Sequence, residues 1–171
     1  MTFSNPMRKF ILFAHVTTSV GLLGAVASFL LLSIFGIVSS NVQLVQASYV
    51  LLMPLTAYLI LPLVVASLLV GIISSLGTPW GLVRYYWVAA KLLLTSVTLI
   101  VLLLQMNAIA QLSAIAAERM VTDADMGLRI RMIIHAGGGL VVLLITMVLS
   151  ICKPKGLTSY GQSRLTRLNE Q

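Results

Sequence analysis

Apolar residues run along this chain in four long blocks, residues 10–38, 47–76, 87–107 and 132–152, with the polar residues gathered between them. A helix needs about 20 mainly apolar residues to cross the hydrocarbon core of a bilayer, and each block supplies them. The first two exceed that length, which leaves room for tilting or projection. The pattern predicts an all-α membrane protein, a four-transmembrane-helix antiparallel bundle in one domain. With their flanks, the spans run over about 10–38, 47–76, 83–110 and 123–152, and residues 153–171 form a tail.

Within each block, small and polar residues recur at helical spacing. Ala14, Thr18, Gly21, Ala25 and Ser28 mark one face of the first span, and Thr56, Ser67, Gly71 and Ser74 one face of the second. Lys91, Thr95, Thr98 and Gln105 fall together in the third, and His135, Gly139, Thr146 and Ser150 in the fourth. Small residues let membrane helices approach and hydroxyls bond across them, so these stripes are expected to face the bundle interior. Pro62 removes a backbone donor inside span two and predicts a kink, with Ser67 one turn on to help satisfy the freed carbonyl.

The connections carry their own signals. Gly77-Thr78-Pro79-Trp80-Gly81 reads as a tight turn. Trp80, Tyr85, Tyr86 and Trp87 read as an interfacial aromatic belt. In the third connection, Thr122 with Asp125 is a capping signature, and Asp123 and Asp125 suit the first turn of a helix. Asp125 and Arg129, four apart, are expected to pair. Spans three and four then project as a short helical hairpin.

Composition sharpens this picture. Of 171 residues, 59% are hydrophobic and 9% charged, against roughly a quarter charged in a soluble domain. The mean hydropathy is +1.05. The net charge of +7 does not point to nucleic acid, because the basic residues flank the apolar blocks as topology signals do. Arg8, Lys9, Arg84, Lys91, Lys153, Lys155, Arg164 and Arg167 fall on one side of a four-span topology. The first connection has no charge, and the third mixes Arg119, Arg129 and Arg131 with Glu118, Asp123 and Asp125. Both termini are therefore assigned to the cytoplasm. Arg8 and Lys9 before an apolar run, with Ala25-Val26-Ala27 beyond, mimic a secretory signal, but the run continues past the 7–15 residues typical of one. The first helix is expected to be retained. Cys152, the only cysteine, has no partner for an internal disulfide and reads as a small buried or interfacial thiol.

Candidate chemistry is sparse. No nucleotide loop, zinc motif, catalytic triad or carboxylate pair is present, so the chain is read as non-enzymatic. His15 and His135 cannot share one haem iron, because they lie about 20 Å apart along the membrane normal at a rise of about 1.5 Å per residue. His135 has Met53, Gln105 and Met106 at its own depth, a set that suits haem or copper as cofactor. His15 shares its depth with Lys91, and no membrane-embedded acid pairs with either; Lys91 is expected to snorkel to the interface. That lack of acids also weighs against a proton-coupled transporter. The bilayer is the implied partner, with a second copy or another membrane protein beside it. A haem- or copper-binding redox protein and a small transporter subunit are the alternatives.

Ser19-Val20-Gly21, residues 75–82 and His135-Ala136-Gly137-Gly138-Gly139 resemble the pattern of small bacterial four-helix integral membrane proteins of unknown function. The likeness covers most of the chain, although Leu22 stands where an aromatic residue is more usual. A looser similarity links the His15 helix to CopD-like copper-resistance membrane proteins. The resemblance implies a bacterial inner membrane and no particular activity.

Overall fold

The computed structural model describes residues 3–78, 81–154, 156–159 and 161–162. These form four long helices, α1 (Asn5–Val38), α2 (Val42–Leu76), α3 (Tyr86–Glu118) and α4 (Met126–Cys152), and each is long and apolar enough to span a membrane. The Pro79–Trp80 turn and the tail residues Lys155, Arg164 and Arg167 lie outside the described residues.

The helices are longer than their apolar blocks. α1 begins at Asn5, with Pro6 in its first turn, where a missing N–H costs nothing. The expected loop over residues 39–46 shrinks to three residues. Asn41 caps α2, its side chain accepting from the Gln43 and Leu44 N–H groups, and this draws residues 42–46 into the helix. α3 has 33 residues, about 50 Å at 1.5 Å per residue, so it outruns a ~30 Å core.

α2 is interrupted where its two prolines fall. Thr56–Ile60 is a π-helical turn, in which the Leu61 N–H reaches back to the Thr56 carbonyl. It directly precedes Pro62, which has no N–H for the carbonyl of Tyr58, and an inserted residue is one way a helix accommodates that loss. Pro54 likewise frees the Val50 carbonyl, and here a neighbour supplies the donor. Ser113 of α3 donates its hydroxyl to Val50 O at 2.9 Å. Ser67 does not serve Pro62 as expected; its hydroxyl pairs with that of Ser19 in α1 at 2.9 Å.

The core joins Leu22, Phe29, Tyr49, Leu52, Val64, Leu112 and Met132, drawn from all four helices. The buried face of α1 is Leu22, Ala25, Val26, Phe29, Ser33 and Gly36. Only Ala25 belongs to the small-residue stripe; Gly21 and Ser28 are exposed. Large apolar side chains gain more dispersion contacts across the helix interface than small ones do. Ser28 bonds its own helix at Gly24 O instead.

One end of the molecule gathers the described ends of the chain. The Phe3 N–H donates to Gly77 O after α2. Residues 156–158 pair with the start of α3 and the segment before it, through Tyr86 N–H to Gly156 O and Thr158 N–H to Arg84 O. Cys152 is exposed at the end of α4.

Candidate functional site

At the opposite end, three helices meet on one arginine. Arg129, in the first turn of α4, is only 7% exposed. Its Nε–H donates to the Tyr49 hydroxyl at 2.9 Å, and a terminal N–H donates to Gly36 O at 2.6 Å. The guanidinium also lies 5.6 Å from the Tyr49 ring centroid, within cation–π range. Tyr49 is fully buried. Gly36 makes this possible, since a β-carbon there would fall 2.6 Å from the Tyr49 oxygen. The cation is thus held by neutral acceptors from α1 and α2.

The expected Asp125–Arg129 pair is therefore not formed. Asp125 instead makes a two-pronged contact with Arg119, at 2.7 and 2.9 Å, across the turn between α3 and α4. The capping box expected at Thr122 is present, with the Thr122 N–H donating to Asp125 Oδ2 at 3.0 Å. Arg119 first, and then the Thr122 backbone, hold the Asp125 carboxyl down to about 2.

His15 and Lys91 lie toward the other end. His15 packs on Gly71 of α2, its ring contacts the Ser67 backbone, and its Nδ1 is buried without a hydrogen-bond partner. Lys91 is close enough to act on it electrostatically. The Lys91 ammonium donates to Ser150 of α4 at 2.6 Å and lies 6.0 Å from the Trp87 ring centroid. Both partners sit near helix ends.

Between these two levels the helices leave a cavity of about 380 Å³. Buried residues of α1 and α2, among them Val26, Phe29 and Val64, form its floor. Exposed residues of α3 and α4 form its rims, including Val97 and Ile134. It is therefore a groove opening sideways from the protein. Its polar wall groups are Thr98, Gln105 and His135.

Of the proposed cofactor set, His135 of α4 and Gln105 of α3 both line the groove, and His135 is exposed there. Met53 packs against the core and Met106 is half-buried; neither lines the groove. Gln105 Oε1 accepts from Arg131 Nε at 2.7 Å. Among the described residues, no three His, Cys, Asp or Glu side chains gather as a metal site. Sequence reasoning missed the Arg129–Tyr49–Gly36 centre. Its only trace is a tyrosine near the start of one apolar block and an arginine just before another, at ends that an antiparallel arrangement brings together. No protein-family model matches this chain, and no curated protein or solved structure matches it either.

Proposed function

We propose that this is a multi-pass bacterial inner-membrane protein, an antiparallel four-helix bundle with both termini cytoplasmic, which acts by association with itself or another membrane protein. The observation that carries this reading is how the polar side chains inside the spans are used. Arg129 is tied to Tyr49 and Gly36, Lys91 to Ser150, Ser19 to Ser67 and Ser113 to Val50. Each tie joins different helices, so these groups hold the architecture together and none is paired as nucleophile and base. The outward surface is left to apolar contact; Leu104 and Ile151 are 70% and 69% exposed. The excess of Lys and Arg at one end supports the orientation.

Photo-reactive residues at Leu104 and Ile151, activated in native membranes, test the association. Discrete protein adducts are expected, and a strictly monomeric protein without adducts at either position overturns it. A carboxyl-terminal tag reachable from the periplasm overturns the orientation.

His135, exposed in the lining of the groove, supports a second reading, a haem- or copper-binding redox protein. The purified protein then shows a haem absorption band or bound copper that His135→Ala removes. Absence of both from wild type ends that reading.

A further inference from the structure

We infer that the groove between α3 and α4 is a binding site for an anionic phospholipid, with Arg131 holding the phosphate and the cavity taking an acyl chain. This goes beyond association and does not depend on it.

The first observation concerns the glycines. Gly137-Gly138-Gly139 invites the explanation of close helix contact. Yet a β-carbon at Gly137 or Gly138 would meet nothing within 4 Å, and one at Gly139 would meet only Val26, at 3.9 Å. Only α1, through Val26 at Gly139, comes within van der Waals reach of this run. The missing side chains instead leave the α4 wall of the groove flat and open. The volume, about 380 Å³, falls within the roughly 300–1,000 Å³ common to ligand sites. From Gln105 to Val97 the α3 wall runs about 12 Å along the helix axis, at 1.5 Å per residue. An apolar, elongated space open to the bilayer suits a hydrocarbon chain.

The second observation is the charge at one end of the groove. Three arginines lie in this part of the molecule. Arg119 is paired with Asp125, and Arg129 is enclosed by Tyr49 and Gly36. Arg131 is exposed, uses its Nε–H on Gln105, and has no carboxylate within ion-pair distance among the described residues. Its remaining N–H fork is matched to a phosphate, which a guanidinium can hold by two parallel bonds. Gln105 of α3 anchors the guanidinium beside the groove, and His135 lies one helical turn deeper than Arg131 along α4.

Depth places the phosphate. Arg131 directly precedes the apolar stretch 132–152, which covers about 31 Å at 1.5 Å per residue, close to the thickness of the hydrocarbon core. Arg131 therefore sits at headgroup level while the cavity lies below it, among the acyl chains.

The test uses the purified full-length chain in a neutral detergent, with unfolding followed as phosphatidylglycerol or phosphatidylcholine of identical acyl chains is added. Phosphatidylglycerol is expected to raise the Tm, and phosphatidylcholine to raise it much less. Arg131→Gln is expected to weaken the phosphatidylglycerol response about tenfold in concentration, equivalent to 1.4 kcal/mol. Gly138→Leu, whose side chain enters open space, is expected to keep the lipid-free Tm and lose the response. Equal responses to the two lipids in wild type, or a wild-type response in either variant, overturn the site. A larger shift with decylubiquinone than with phosphatidylglycerol overturns the phosphate assignment in favour of a neutral ring.

Discussion

Gly36→Ala is the sharpest test of how these helices are locked together. The added methyl would lie 2.6 Å from the Tyr49 oxygen and 2.7 Å from Tyr49 Cε1. Neither side can yield easily. Gly36 is in the last turn of α1, and Tyr49 is a rigid ring with no exposed surface. Overpacking of this kind costs roughly 1–3 kcal/mol. Moving the ring also separates its hydroxyl from the Arg129 Nε–H, and a hydrogen bond from a charged donor contributes about 1.5–3 kcal/mol. The total is about 2.5–6 kcal/mol, a large share of a typical stability of about 5–15 kcal/mol. For a chain of this size that corresponds to roughly a 10 °C fall in Tm. Gly24→Ala and Gly127→Ala are the controls, because a β-carbon at either position meets nothing within 4 Å. Helix propensity predicts that those two stabilise by up to about 1 kcal/mol. Thermal unfolding of all three in one detergent decides the matter. If Gly36→Ala unfolds within about 2 °C of wild type, the Gly36–Tyr49–Arg129 contact is not what holds α1, α2 and α4 at this end. If the clash with the ring is the cause, Gly36→Ala costs clearly less in a Tyr49→Leu background.

Two further outcomes are expected. Ser113→Ala removes the donor to the Val50 carbonyl and costs about 1 kcal/mol; in a Pro54→Ala background, where the helix regains its own donor, the same change costs little, so equal effects in a double-mutant cycle would refute the account of Pro54. Asp125 is held at about 2, below its ordinary 3.8, so its contribution is complete above pH 4 and is lost as the pH falls through 2; hydrogen-exchange protection of the Thr122 amide is expected to fall over that window in wild type and to be low at every pH in Asp125→Asn, and a flat profile in wild type would count against the assigned contacts.

Reading the sequence alone recovers what depends on neighbours along the chain or on the solvent. Four apolar blocks become four helices, each long and apolar enough to cross a membrane, a setting in which unsatisfied backbone groups are too costly. The Thr122–Asp125 capping box forms because its partners are three residues apart. The interruption of α2 follows from the missing N–H of Pro62. Contacts between helices were not legible in the same way. Arg129 had a local acid four residues away, yet the tertiary structure gave Asp125 to Arg119 and turned Arg129 inward onto Tyr49 and Gly36. Ser67 had a local carbonyl to serve and took the Ser19 hydroxyl. The α1 face predicted from its small residues was displaced by one built on Leu22, Val26 and Phe29. His135 and Gln105 line one groove, from α4 and α3, while Met53 and Met106 do not. Spacing along a helix ranks which partners are near. Which of them is taken depends on the rotation and depth of the facing helices, and those follow from packing all four surfaces at once.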